Sequence, residues 1–103
     1  MREASIERAF VKYAASKGCV ALKLRIDGIN GFPDRTVLTP RGVFFVEFKT
    51  KKGKLRPAQV VWGKRLRSLG FQCVVVNEVG EAERLLDEIL TARISEESHR
   101  LGG

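Results

Sequence analysis

The stretch Val43-Phe-Phe-Val-Glu-Phe-Lys49 constrains the fold of this chain more than any other segment. Four hydrophobic residues in succession, two β-branched and two aromatic, read as an interior strand. Side chains alternate along a strand, so Phe44, Val46 and Phe48 point one way while Phe45, Glu47 and Lys49 point the other. A carboxylate and an ammonium two residues apart therefore share one face of an otherwise apolar segment, where they must be paired or functional. The bland alternative is a polar pair at a strand end that reaches solvent.

The segment just upstream gives that pair a third member. Residues Asp34–Thr39 form a short strand, and the turn Pro40-Arg-Gly42 folds it back on Val43–Lys49 as an antiparallel hairpin. Asp34 follows Gly31-Phe-Pro33 at the outer end of the hairpin, so it arrives at the same edge as Glu47 and Lys49. The hairpin alone does not fix which way these side chains point. Before it, the spacing of Ile6, Ala9, Phe10, Tyr13 and Ala14 predicts a helix over residues 3–17 ended by Gly18. A strand over Cys19–Ile26 with Leu22, Leu24 and Ile26 inward and a turn-rich loop over Asp27–Pro33 complete the first third. After the hairpin come a basic loop, a helix from Pro57 to about Leu69, a buried strand over Phe71–Val76 and an amphipathic helix over Val79–Arg93. The order helix, strand, strand, strand, helix, strand, helix predicts an α/β fold, a mixed sheet of about four strands flanked by helices on both faces. One domain is expected over residues 1–93, with a polar, disordered tail over 94–103.

Charge is unevenly placed on this frame. The 103 residues carry 19 Lys and Arg against 12 Asp and Glu, a net charge of +7. Residues 35–67 alone hold ten basic and one acidic side chain. A patch so concentrated suits a polyanionic partner better than scattered charge does, although a solvated basic face has the same composition. No apolar run approaches the ~20 residues that cross a bilayer, and the first residues lack the apolar stretch of a secretory signal, so a soluble, cytoplasmic protein with no membrane partner is expected. Cys19 and Cys73 lie in apolar runs and read as small buried hydrophobes. His99, the one histidine, sits in the tail, so Cys/His zinc sites and histidine-based acid/base chemistry are set aside.

Two carboxylates and a lysine at one edge match the chemistry of metal-dependent phosphodiester hydrolysis. Asp34 and Glu47 offer hard oxygen ligands to Mg²⁺ or Mn²⁺, and Lys49 can hold the attacking water or the charge that develops on phosphate. Lys51, Lys52, Lys54 and Arg56 can supply further positive partners for phosphoryl oxygens.

At these residues the chain resembles the PD-(D/E)xK nucleases, and among them the virus-type replication and repair nuclease domain, VRR-NUC. The resemblance rests on Gly31-Phe-Pro-Asp-Arg35, Phe45-Val-Glu-Phe-Lys49, the basic stretch Lys51-Lys-Gly-Lys-Leu-Arg-Pro-Ala-Gln59 and Gly70-Phe-Gln-Cys-Val-Val-Val76, and covers roughly residues 3–90. It implies a restriction-endonuclease-like fold with Asp34, Glu47 and the carbonyl of Phe48 as metal ligands and Lys49 as the catalytic lysine. Glu7 matches the family's N-terminal acidic position, implying a catalytic role at metal-bound water or a second metal, with Glu3 as the fallback. Gln59 matches a glutamine that contacts phosphate or water near the metal, and Arg56 stands where the family often has a Ser or Thr cap. Arg35, Lys51, Lys52, Lys54, Arg56, Lys64 and Arg67 are the expected DNA contacts. The free-standing viral members imply a homodimer that cuts branched DNA such as Holliday junctions, in a prokaryotic or virus-infected cell.

Three features keep alternatives open. Gly63 weakens its helix unless close packing, such as a second helix across a dimer interface, requires it. Trp62 reads as core or as an interface anchor. The same fold and charge also serve a non-catalytic nucleic-acid-binding module, or a docking face for an acidic protein.

Overall fold

The computed structural model describes residues 2–92. Arg93, the polar tail and His99 lie outside the described residues. Helix α1 spans Glu3–Ser16, followed by β1 (Val20–Leu22), β2 (Arg35–Thr39), β3 (Gly42–Phe48), α2 (Pro57–Ser68), β4 (Gln72–Val76) and α3 (Val79–Thr91). The four strands form one mixed sheet in the order β1-β2-β3-β4, with the first two pairings antiparallel and β3–β4 parallel. Element order and fold class are those the sequence predicts.

Alternation on β3 divides the molecule into two layers. Phe44, Val46 and Phe48 join Ile6, Phe10 and Ala14 of α1 and Ala82 and Leu86 of α3 in the main core. The ring of Phe10 lies 6.5 Å from that of Phe44 and 5.9 Å from that of Phe48. On the opposite face Phe45 and Cys73 meet Leu66 of α2 in a second, smaller cluster, edged by Phe32 and Trp62. Trp62 therefore packs as part of this cluster, its ring 5.3 Å from that of Phe32. Helix α1 ends as its glycine predicts: Gly18 has φ +74°, and the amides of Gly18 and Cys19 donate to the carbonyls of Ala15 and Ala14 at 3.0 and 2.9 Å.

Two strands depart from expectation. β1 stops at Leu22 although alternation continues to Ile26, and Leu24 and Ile26 are each 40% exposed. As an edge strand β1 can pair only with β2, whose ladder begins at Arg35 opposite Val46 and pairs Thr36 with Leu22. In that register Lys23 still faces Arg35, but Leu24 and Arg25 fall opposite Asp34 and Pro33, which lie upstream of β2, and Pro33 has no amide to donate. The run Phe71–Val76 reads as a buried strand, yet β4 lies at the other edge, and Val75 is 44% exposed because α2 covers only part of that face.

Two glycines show how the loop before β2 and the helix α2 are fitted together. Gly31 has φ +83°, and a Cβ there would lie 2.5 Å from the backbone carbon of Ala58, in the first turn of α2. Only glycine lets this loop pass so close to the helix. At Gly63 the close neighbour within the chain is a side chain of the same helix. The guanidinium of Arg67 lies over it, 3.1 Å from where a Cβ would stand, and Nη1 of Arg67 donates to the carbonyl of Cys73 at 3.0 Å. Gly31→Ala should cost about 2 kcal/mol or more, because a strained φ adds to overlap with rigid backbone. Gly63→Ala should stay within about 1 kcal/mol, since the helix gains propensity and a flexible side chain can give way. Urea unfolding of the two variants tests the difference.

Candidate active site

Asp34 and Glu47 are brought together by the hairpin register. With Arg35 opposite Val46, Asp34 falls opposite Glu47, and residues directly opposite in an antiparallel pair project to the same face. The two carboxylates are then cross-tied through the backbone. The amide of Asp34 donates to Oε1 of Glu47 at 3.1 Å, and the amide of Phe48 donates to Oδ2 of Asp34 at 2.8 Å. Beyond β3, the amide of Lys49 donates to the Val76 carbonyl at 2.9 Å, which extends the parallel ladder by one residue.

Helix α2 fixes the other oxygen of Glu47. Nε2 of Gln59 donates to Glu47 Oε2 at 2.5 Å, while Oε1 of Gln59 accepts the amide of Arg56 at 2.7 Å. The second bond requires an oxygen, so the amide nitrogen must face Glu47 and the orientation of Gln59 is settled. A guanidinium carries no acceptor, so Arg56 makes no side-chain cap and Gln59 supplies one half of a capping box. Both ends of the Gln59 amide are thus occupied within the chain.

The electrostatics are those of crowded acids. Glu47 is 4% exposed, and its carboxyl is pushed up to about 7, first by burial and then by the charge of Asp34. The Asp34 amide, Lys49 and Arg56 pull the other way. Asp34 is also raised, chiefly by burial, while the Phe48 amide, Lys23 and Lys49 favour its charged form. A buried carboxylate beside a half-buried one, the two resisting joint ionisation, is a donor set suited to a hard divalent cation, which would supply the missing positive charge. Asp34 and Glu47 could hold one, with Phe48 tied to Asp34 through its amide. Among the described residues no three acidic, histidine or cysteine side chains converge on a single point.

Glu7 bonds to cations and not to that pair, although its charge reaches Asp34 and raises it. Its Oε2 accepts from Nε of Arg35 at 2.7 Å and from Nζ of Lys23 at 3.4 Å, and only 14% of its side chain is exposed. Arg35 uses Nη1 as well, donating to the carbonyl of Ala21 at 3.1 Å. Lys23 reads in the sequence as the wet face of a strand. Its place next to Glu7 and its influence on Asp34 become visible only when α1 packs beside the short β1. The remaining predicted contacts are spread around the site. Lys51 pairs with Glu78 at 3.0 Å across an exposed surface. Lys52, Lys54, Arg56 and Lys64 are exposed, and Arg67 reaches inward to Cys73.

Comparison with known proteins agrees with this geometry. No protein-family model matches the chain. "Putative nuclease p44" of Acyrthosiphon pisum secondary endosymbiont phage 1 is 38% identical over 78 residues, 75% of this chain and 84% of that protein. A solved structure described as a VRR_NUC domain superposes with a TM-score of 0.75 at 29% identity, covering 82% of this chain and 94% of the other. The chain belongs to the VRR-NUC family. The VRR-NUC fold is thus present with the residues Asp34, Glu47 and Gln59 joined by direct hydrogen bonds.

The raised Glu47 has a consequence for stability. Between about pH 4.5 and 7 the folded chain keeps a proton that the unfolded chain releases, so stability attributable to this group falls as pH rises through that window, by about 3 kcal/mol in all. Metal-free protein should therefore melt at a lower temperature near pH 8 than near pH 5, and Glu47→Gln should flatten the difference. Calorimetry in EDTA checks both.

Proposed function

We propose that this VRR-NUC chain is a divalent-metal-dependent endodeoxyribonuclease that hydrolyses phosphodiester bonds in branched DNA, four-way junctions among them, and acts as a homodimer in the cytoplasm. The observation that carries this reading is the cross-tied pair Asp34 and Glu47, with Lys49 acting on both carboxylates and an exposed basic loop next in sequence. Such an arrangement is costly for a domain that only binds DNA, because two carboxylates repel phosphate.

In this reading Asp34, Glu47 and the Phe48 carbonyl hold Mg²⁺ or Mn²⁺. The ion supplies Lewis acidity toward the phosphoryl oxygens and eases deprotonation of the attacking water. Lys49 stabilises charge that develops on phosphate, which its closeness to both carboxylates permits. Gln59 holds Glu47 in the orientation that presents it to the ion. Lys51, Lys52, Lys54, Arg56 and Lys64 grip backbone phosphates, contacts that position DNA without reading its bases. A surface of that kind selects among DNA shapes, and a four-way junction needs two symmetry-related cuts, for which a two-fold dimer is the economical arrangement.

Four-way junctions, flaps and linear duplex incubated with Mg²⁺ or Mn²⁺ provide the test. Junctions should be cut in preference to duplex, EDTA should abolish cleavage, and Lys49→Ala or Glu47→Ala should each lower the rate by about 10²- to 10³-fold or more. Cleavage that persists in EDTA or in both variants overturns the reading. Binding without scission under either metal would assign the fold to a DNA-binding module. Sedimentation equilibrium should give twice the chain mass.

A further inference from the structure

The cavity around Glu7 carries an inference beyond the metal pair. It is an open depression of about 250 Å³ lined by Ala4, Glu7, Arg8, Val11, Lys23 and Arg35. Three cations and one carboxylate line it, so the cavity is net positive. That carboxylate is already engaged by Arg35 and Lys23. A divalent ion bound to Glu7 would have to sit among these cations, and Glu7 does not converge with Asp34 and Glu47 as a third ligand.

The cations are differently committed. Arg35 is anchored at both Nε and Nη1, to Glu7 and to the Ala21 carbonyl, and forms the wall of the cavity. Lys23 is 47% exposed, at a long 3.4 Å from Glu7, and retains donors for a ligand. Arg8, one residue along α1 from Glu7, is exposed on the same cavity. Arg35 follows directly on Asp34 at the start of β2, which places the cavity beside the metal pair. A tetrahedral oxyanion with several acceptor oxygens suits two mobile cations on a fixed guanidinium wall.

We infer that this cavity seats a backbone phosphate of the DNA strand next to the one being cut, gripped by Lys23 and Arg8, and that Glu7 is a positioning residue that holds Lys23 and Arg35 in place. The inference rests on the endonuclease reading for the identity of the strand. It makes Lys23 and Arg8, which lie outside the basic segment, part of the DNA surface.

Two measurements on the full chain separate this from the alternatives. In the first, Mn²⁺ binding is followed by calorimetry. Glu7→Gln should keep one ion per chain with affinity within about twofold of wild type, while Asp34→Ala should lose binding. A tenfold or greater loss in Glu7→Gln, or two ions in wild type, overturns the role given to Glu7. In the second, binding of a fluorescent DNA junction is measured in EDTA across a salt series. Lys23→Ala and Arg8→Ala should each weaken binding about three- to tenfold and make the salt slope shallower by about 0.9. Lys17→Ala, at the far end of α1, should change neither. Equal effects from Lys17→Ala, or none from Lys23→Ala and Arg8→Ala, overturn the phosphate seat. Wild-type protein that binds no Mn²⁺ refutes the metal-dependent reading, and the salt series then judges the seat separately.

Discussion

The reciprocal ties between Asp34 and Glu47 are the constraint on which the rest of the structure depends. Each residue's side chain accepts a backbone amide from the opposite strand, so the carboxylates stay where they are only while β2 and β3 keep their register. A slip of one residue would turn Glu47 into the core that holds Phe44, Val46 and Phe48, and would turn those rings outward. Burial of three large side chains on one face of β3 is therefore what holds an acid on the other. The aromatic contacts of Phe10 to Phe44 and Phe48 stabilise the site from the far side of the sheet.

Keeping two acids adjacent at the edge of a small core is unfavourable, and the neighbouring elements meet that cost in different ways. Backbone amides partly satisfy both carboxylates and lower their tendency to hold a proton. Helix α2 contributes Gln59, a neutral donor, so Glu47 is oriented without being neutralised. Gly31 brings the Asp34 loop within reach of the same helix turn. Phe32 then fixes the loop by packing on Phe45 and Trp62 at 5.6 and 5.3 Å. The result is an acidic pair held by groups of no formal charge, with Lys49, the residue after β3, as a cation that acts on both. A full ion pair would quench the negative potential a divalent ion needs, whereas neutral hydrogen bonds leave it in place.

The hairpin, the two faces of β3 and the convergence of Asp34, Glu47 and Lys49 were legible in the sequence because each follows from strand alternation and one short turn. Gln59 was legible as a site residue, but its double hydrogen bond was not, since the path of Arg56 into α2 is a tertiary fact. The end of β1 was misread because alternation persists through Leu24 and Ile26 after the partner strand has run out. Periodicity reports what a segment could do as a strand, and only the neighbouring strand decides how far it does so. Gly63 is legible as a point of close approach, but its neighbour is not. Within the chain that neighbour comes from four residues along the same helix, Arg67 turning back to the Cys73 carbonyl, and nothing in composition distinguishes that from a gap left for another helix.

Charge taken by segment in the sequence points to residues 35–67, and the fold revises that picture. Arg35 and Arg67 belong to the segment, yet each has donors engaged within the chain, one at Glu7 and the Ala21 carbonyl and the other at Cys73. Lys23 comes from a segment of nearly balanced charge and still acts on Asp34. The cause is topological. α1 begins, and β1 ends, at the same edge where β3 ends, so the first third of the chain delivers its cations to the acids from the side opposite the basic loop. Positive charge thus approaches the Asp34 and Glu47 pair from two directions, an arrangement suited to a strand whose successive phosphates pass across a single cutting point.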